Sequence, residues 1–306
     1  VSQYWELPDI KNQDKSTNEE RLLNDLEILL EDSVRKQLLA DVPVGVLLSG
    51  GIDSSLMVAL ASRVSNNVKT FTVAFSKYGK YDESPHAKAI SEHFKTQHIE
   101  LEVNDIDVKL LYKLAKQYDE PMSDSSMLPT YLVSNLVKKY CTVALGGDGG
   151  DELFGGYHHY NRLLWTKKKF NKIPIAIRKV IANIANIILP VGFKGRATLQ
   201  SLGANFDNGL PLVSSFFDPK TRRKLLSKQQ DKIEIVAEKV FAKKVFDTSD
   251  FLQRITRMEF GNYMSEDILV KVDRSSMLNS LEVRAPMLDY RIIEFAFGKV
   301  PSILKT

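Results

Sequence analysis

The chemistry in this sequence is concentrated in two glycine-rich runs and one lysine. Ser49-Gly50-Gly51-Ile52-Asp53-Ser54-Ser55 follows the apolar pentapeptide Val44–Leu48 and precedes a helix-like stretch, Leu56–Ser62. Glycine lets backbone amides approach an anion with no Cβ in the way, and a helix start adds N–H groups and the positive end of its dipole. Ser49, Ser54 and Ser55 contribute hydroxyl donors. Asp53 would repel a polyphosphate unless a divalent cation stood between them, so its place in the loop implies Mg2+ shared by carboxylate and phosphate oxygens. The alternative is a turn whose Ser and Asp merely cap a helix. The chain has no Gly-x-x-x-x-Gly-Lys-Ser/Thr run, so phosphate binding here needs a different design.

The second run, Gly146-Gly147-Asp148-Gly149-Gly150-Asp151-Glu152-Leu153-Phe154-Gly155-Gly156-Tyr157, holds six glycines and three carboxylates in twelve residues. Its glycines suggest close backbone approach to a ligand, and Asp148 and Asp151 are candidates for a metal or a nitrogen-bearing group. Glu152 reads as solvated. A third cluster is Asp267-Ile-Leu-Val-Lys271-Val-Asp273-Arg274. There Lys271 sits among apolar neighbours, where it either snorkels to water or directs its charge at a developing anion.

These groups need elements to hold them. Thr17 and Glu20 have capping-box spacing ahead of a helical pattern through Leu22, Leu26, Leu29/Leu30, Val34 and Leu38. Strands are expected at Val44–Leu48, Val68–Phe75, His98–Val103 and Cys141–Leu145. Helices are expected at Ser84–Phe94, Ile106–Gln117 and Met127–Tyr140. Strands alternating with helices predict a doubly wound parallel sheet, whose ligands lie beyond the carboxyl ends of the strands. Both glycine runs fall at that end. Past Tyr160 the strand signal fades, and Ile173–Leu189, Lys232–Val245, Phe251–Met264 and Arg291–Phe297 read as helices. The expected division is an α/β core over 1–160 and a mainly helical part over 161–306, with the boundary between Tyr157 and Lys172.

Composition narrows the classes. The 306 residues are 43% hydrophobic and 26% charged, with 16 Gly and 11 Pro, which excludes a disordered or collagen-like chain. Forty-two basic and 38 acidic side chains leave +4, too little to imply nucleic acid or a membrane surface as partner. Lys167–Lys169 and Arg222–Lys224 lack the interleaved aromatics of a stacking surface. The one cysteine, Cys141, excludes an intramolecular disulfide framework and fits a reducing, cytoplasmic setting. No signal-peptide pattern opens the sequence, and the apolar stretch Val180–Phe193 is short for a membrane span, reading as a buried or partner-facing helix. The five histidines show no zinc spacing.

In order along the chain, Ser49–Ser55, Asp119-Glu-Pro-Met-Ser-Asp-Ser-Ser126, Gly146–Tyr157, Val270-Lys-Val-Asp-Arg274 and Leu281-Glu-Val-Arg-Ala-Pro-Met-Leu-Asp289 resemble the synthetase domain of the asparagine synthetase family. The resemblance implies the adenine nucleotide α-hydrolase-like fold of N-type ATP pyrophosphatases, with ATP and Mg2+ as cofactors. It further implies adenylation of aspartate followed by attack of ammonia, giving asparagine, AMP and pyrophosphate. By motif, Ser49, Gly50, Gly51, Asp53 and Ser54 would hold the pyrophosphate portion, and Leu47, Val73, Gly146 and Gly147 would contact adenosine. Asp53 and Asp151 would face Mg2+, Lys271 would neutralise charge at phosphorus, and Asp148 would join it in the reaction.

Two departures qualify the expectation. Asp148 stands where the common family pattern has Glu, which admits another carboxylate acceptor, such as a cell-surface sugar acid. The chain also carries no glutaminase nucleophile at its start, so an N-terminal glutaminase domain is expected in a longer protein, and a homodimer is compatible with the sequence. The competing readings are a tRNA-modifying enzyme sharing the first loop and a non-catalytic nucleotide-binding scaffold. The chain is expected to use free ammonia and not glutamine as its nitrogen source, with weak or absent activity left open for this segment by itself. Product assays with glutamine as the nitrogen source check this, since glutamine-dependent asparagine formation would contradict it.

Overall fold

The computed structural model describes residues 2–8, 18–74, 79, 82–102, 108–122, 124–207, 248 and 250–305. Along the chain run α1 (Glu19–Gln37), β1 (Val44–Leu47), α2 (Ile52–Val64), β2 (Lys69–Ala74), α3 (Ser84–Phe94), β3 (Gln97–Glu102), α4 (Lys109–Tyr118), α5 (Met127–Val137) and β4 (Val143–Leu145). There follow α6 (Gly150–Phe154), α7 (His158–Phe170), α8 (Ile175–Ile188), α9 (Arg196–Ser201), α10 (Phe251–Glu259), a π-helical segment (Phe260–Ile268), α11 (Leu269–Met277), β5 (Glu282–Arg284) and α12 (Tyr290–Gly298). The chain forms two compact units, Val1–Gly150 with Ser265–Val300, and Asp151–Met264 with Pro301–Thr306.

The first unit is built on a five-stranded sheet in the order β3-β2-β1-β4-β5, and every pairing is parallel. From β1 the chain steps outward to β2 and β3, then returns to the other side of β1 as β4. The order therefore reverses between β1 and β4, which pair with Val44 opposite Val143 and Val46 opposite Leu145. Such a reversal leaves a crevice at the carboxyl ends of the two strands, because their connections depart to opposite faces. Both glycine runs start there.

β4 is buried at all three positions, as a central parallel strand covered on both faces must be. On one face Phe71, Leu101, Val137, Cys141, Ala144 and Leu281 form a common core. Burial pushes the Cys141 thiol up, in keeping with an inert packing role. α1 begins at Glu19, and its cap is Asn18, whose Oδ1 accepts from the amides of Glu20 at 2.9 Å and Arg21 at 3.3 Å. The expected cap, Thr17, lies outside the described residues. Leu22, Leu30 and Val34 carry the buried stripe of this helix.

Strand β5 lies within the span 161–306, expected to be mainly helical, at a place where no strand was expected. It is three residues long with a half-exposed pattern, too short for periodicity to signal. It exists because Glu282 N–H donates to Thr142 O at 2.9 Å and Gly146 N–H to Arg284 O at 2.8 Å, extending the sheet past β4.

The second unit is helical among its described residues. Tyr160, Leu163, Phe206, Phe251, Leu252, Ile255 and Met258 form its core. The Arg178 guanidinium lies 4.2 Å from the centre of the Phe206 ring and donates to the carbonyls of Ile173, Leu202 and Ala204. α8 buries Arg178, Ala182 and Ala185 and leaves Ile177, Val180, Ile184, Ile187 and Ile188 exposed. The apolar stretch is therefore not a buried helix. Among the described residues no helix is long and apolar enough to cross a membrane. The expected helix Lys232–Val245 and the basic run Arg222–Lys224 lie outside the described residues.

Gly45 shows how tightly β1 is packed: a Cβ there would stand 2.4 Å from Phe71 Cε2 and 3.0 Å from Cys141 Sγ. Gly45→Ala is expected to cost about 1–3 kcal/mol by overpacking. Urea unfolding reads this directly, and an unchanged midpoint would show that the neighbouring side chains move aside freely.

Candidate active site

The first glycine run turns from β1 into α2 and is closed by its own serines. Ser54 Oγ accepts from the Ser49 amide at 3.2 Å and donates to Gly51 O at 3.1 Å. Ser49 Oγ lies 3.0 Å from Ser54 Oγ and accepts from the Gly51 amide at 3.3 Å. Gly50 has φ +83°, and a Cβ there would press on His86 Cβ at 2.7 Å and Ala87 N at 2.9 Å. The N-cap of α2 is Gly51, with no side-chain cap. Ser49, Gly51 and Ile52 are exposed, so the mouth of the turn presents backbone and hydroxyls, the surface an anion needs.

The second run lies directly against the first. A Cβ on Gly147 would stand 3.0 Å from Ser54 N and 3.1 Å from the Asp53 carbonyl carbon, and one on Gly150 would stand 2.5 Å from Asp53 Oδ1. A Cβ on Gly149, at φ +104°, would collide with Leu288 Cδ2 at 2.4 Å. These glycines thus serve contact between the two loops and with the Pro286–Leu288 turn, where the sequence suggested contact with a ligand alone.

Beside the loops is a cavity of about 300 Å3 lined by Leu47, Ser49, Val73, Asp148 and Lys271, among others. Leu47, Val73, Val133 and Val283 make much of its wall apolar, and Ser49 connects it to the phosphate turn. Five of the expected site residues therefore share one cavity. Gly50, Gly51, Asp53 and Ser54 form the adjoining turn, with Gly147 packed at its side and Gly146 against Asp148 and Val283.

Lys271 is held by both ends. The Tyr118 hydroxyl donates to its backbone carbonyl at 3.0 Å, and its Nζ donates to Asp124 Oδ2 at 3.1 Å. The Lys271 and Asp124 side chains are only 13% and 16% exposed, so this pair is far less screened than one at the surface. α11, which carries Lys271, is tied to α5 by Ser275 Oγ donating to Met127 O at 3.1 Å and Asn279 Nδ2 donating to Tyr131 O at 3.3 Å. Leu114, Tyr118 and Tyr131 form the core between these helices, with Val270 and Leu278 packed on it.

The carboxylates around this lysine differ. Burial works to raise Asp124, but the hydroxyl and amide of Ser126, with Lys271, hold it below the usual carboxylate range. Burial pushes Asp148 up, with Lys271 opposing. Asp267 is raised first by burial and then by the Asp124 charge, with Lys271 opposing. Asp124 and Asp267 were within quoted motifs, but their side-chain roles depend on long-range contacts that the motifs do not reveal.

Asp151 begins the second unit. Burial raises its carboxyl, and His159 and His158 oppose the shift. Its neighbour Glu152 is 1% exposed, contrary to the solvated reading, and its Oε1 accepts from the Tyr157 hydroxyl at 2.7 Å. Glu259 is also buried and accepts from His159 Nε2 at 3.0 Å and the Tyr160 hydroxyl at 2.5 Å.

A divalent ion can be tested against these donors. Among the described residues no group of three or more His, Cys, Asp or Glu side chains could hold a metal ion. Asp53, beside the phosphate turn, fits Mg2+ that takes one or two carboxylates and completes its shell with phosphate oxygens and water.

A parallel sheet with this strand order and glycine turns at its reversal has the fold of the adenine nucleotide α-hydrolase kind. A model of the asparagine synthase family matches residues 25–306, and the chain belongs to that family. It is 32% identical over 294 residues to glutamine-hydrolyzing asparagine synthetase 1 of Bacillus subtilis, covering 95% of this chain and 45% of that protein. It is 35% identical over 289 residues to a putative glutamine-hydrolyzing asparagine synthetase 2 of Methanocaldococcus jannaschii, covering 90% and 52%. With Escherichia coli asparagine synthetase B, also glutamine-hydrolyzing, it shares 33% identity over 177 residues, 52% of this chain and 31% of that protein. The chain spans about half the length of the first two relatives. Membership makes it a synthetase domain of an ATP-using ligase family.

Glu152 predicts a pH dependence. Burial raises its carboxyl from 4.5 to about 7, although the Tyr157 hydroxyl lowers it. Between those values the folded state keeps a proton that the unfolded state has released. The stabilising contribution is therefore full below 4.5 and is lost as pH rises through about 7, changing by up to about 1.4 kcal/mol per unit. Urea titrations between about pH 5 and about pH 7 should show this loss, and Glu152→Gln should flatten it. An undiminished slope in the variant would assign the effect to another group.

Proposed function

We propose that the chain binds MgATP at the β1–β4 crevice and transfers AMP to a carboxylate, which ammonia then converts to an amide. The observation that carries this reading is the shared cavity: an apolar wall from Leu47 and Val73 beside the Ser49 turn, with Lys271 and Asp148 also on its lining. That arrangement offers space for a base or ribose, donors for phosphates, and a cation for the group in transfer.

In the first step a carboxylate oxygen bonds to the α-phosphorus while the bond from that phosphorus to the bridging oxygen of pyrophosphate breaks. The turn formed by Ser49, Gly50, Gly51 and Ser54 would grip the departing pyrophosphate, with Gly146 and Gly147 beside the nucleoside. Lys271 would stabilise negative charge on the phosphoryl oxygens, the largest electrostatic demand of the step. Ammonia then bonds to the acyl carbon, AMP leaves with its electron pair, and the nitrogen loses a proton. Mg2+, bound with ATP, would supply charge neutralisation at the phosphates; Asp53 is suited to it, and Asp151 is added on the sequence motif alone.

Aspartate is the proposed acceptor, with asparagine as product. The names of the relatives, all glutamine-hydrolyzing asparagine synthetases, support it and support ammonia delivery from an N-terminal glutaminase domain of a longer protein. Asp148 on the cavity lining favours a second reading in which the same adenylation acts on another carboxylate, because a shorter acid than Glu alters the room and hydrogen bonds at the acceptor end.

The test is AMP release by mass spectrometry from MgATP, a panel of carboxylates and ammonia. Aspartate should give AMP and asparagine in equal amounts. Lys271→Ala should lower kcat at least about 100-fold while the Kd for ATP changes less than about fivefold. Equal turnover would remove the lysine from the reaction, and AMP release with a different carboxylate only would replace aspartate as the acceptor.

A further inference from the structure

We propose that Asp124 is a positioning residue for Lys271: it fixes where the ammonium stands at the cavity and so sets its reach to the reacting phosphorus. This deepens, and rests on, the role given to Lys271 above.

A lysine has a flexible four-carbon stem and a point charge that ordinarily swings to water. Lys271 does not have that freedom. Tyr118 pins its carbonyl at 3.0 Å, and Asp124 Oδ2 takes its ammonium at 3.1 Å. Asp124 is in turn oriented from its other oxygen, Oδ1, which accepts from the Ser126 amide at 2.8 Å and the Ser126 hydroxyl at 2.7 Å. With Oδ1 occupied by the chain's own donors, Oδ2 is the side offered to the lysine. A fixed carboxylate facing a fixed helix leaves the ammonium one preferred place, and among the described residues Asp124 is its hydrogen-bond partner.

The surrounding charge also favours this arrangement. Asp124, Asp148 and Asp267 all feel Lys271, and three ionised carboxylates around one ammonium would repel a triphosphate. Burial and then the neighbouring Asp124 raise Asp267, and among the described residues its buried Oδ1 has no hydrogen-bond partner. Two neighbouring carboxyls share a proton more readily than both ionise. Asp124 then serves as the charged anchor and the local surplus of negative charge falls.

The experiment uses the full chain with MgATP, aspartate and ammonia. Asp124→Asn should lower kcat about 100-fold with KM for ATP within about threefold, because displacing a reacting group by about 1 Å costs that much. Asp124→Glu should recover about tenfold of that loss. On a Lys271→Ala background Asp124→Asn should add nothing, since an effect acting through the lysine disappears with it. A merely structural role would lower the melting midpoint, leave kcat per folded molecule unchanged and add to the Lys271→Ala loss, which would overturn the proposal. Should Asp124→Asn fail to fold, Ser126→Ala removes one orienting bond, with an expected loss in kcat of about fivefold; no loss overturns it. Acetylation of Lys271 by acetic anhydride at fixed pH, read by peptide mass spectrometry, tests the same point without substrate. It should rise about threefold or more in Asp124→Asn, and an unchanged rate counts against the anchor even where aspartate gives no AMP. A fully active Lys271→Ala sinks the reading of the lysine itself, whereas an inactive Lys271→Ala beside a fully active Asp124→Asn sinks only its positioning by Asp124.

Discussion

The close approach of two backbone loops at the reversal of the sheet is the constraint from which the site follows. β1 and β4 are neighbours with connections that leave in different directions, so the turns after them meet at the carboxyl end of the sheet. They meet closely because side chains are absent there: Gly147 faces the Asp53–Ser54 backbone and Gly150 faces the Asp53 carboxylate. A single methyl group at either position would enter occupied space. The same packing supports the Ser49 turn from the side while Ser49 and Gly51 stay exposed.

A second layer of organisation supplies the charge. The sheet alone offers an anion-binding turn and an apolar wall. The cation arrives on α11, a helix more than a hundred residues further along, which α4 and α5 hold through Tyr118, Met127 and Tyr131. Helix packing therefore sets the distance between Lys271 and the cavity, and the ion pair with Asp124 sets its direction. The helical unit meets its own polar demands separately: among its described residues the buried carboxylates Glu152 and Glu259 each accept from a tyrosine, Tyr157 and Tyr160. Removing the Tyr157 hydroxyl would expose more of the cost of desolvating Glu152, whereas Glu259 would keep its bond from His159.

Family membership and geometry constrain different things. The match over residues 25–306 establishes the family, while identities near one third leave the acceptor to be argued from the cavity. The Asp148 carboxyl is the most informative side chain for that question, because it lies in the cavity wall and feels Lys271.

The motifs and periodicities of the chain were enough to identify the parallel α/β class, the strand positions to within about two residues, the two glycine loops and the candidate residues in them. Those features are local: a turn needs its glycines in sequence, and a strand or helix shows its own period. Asn18 as the helix cap, β5 as a strand and Glu152 as a buried acid depended on partners remote in sequence or on backbone direction, which periodicity does not carry. Only tertiary structure placed Lys271 with Asp148, Leu47 and Val73 on one cavity and paired it with Asp124. Parallel strands pair across long connections and helices pack by shape, so residues far apart in order become neighbours only when the whole sheet and its covering helices have formed.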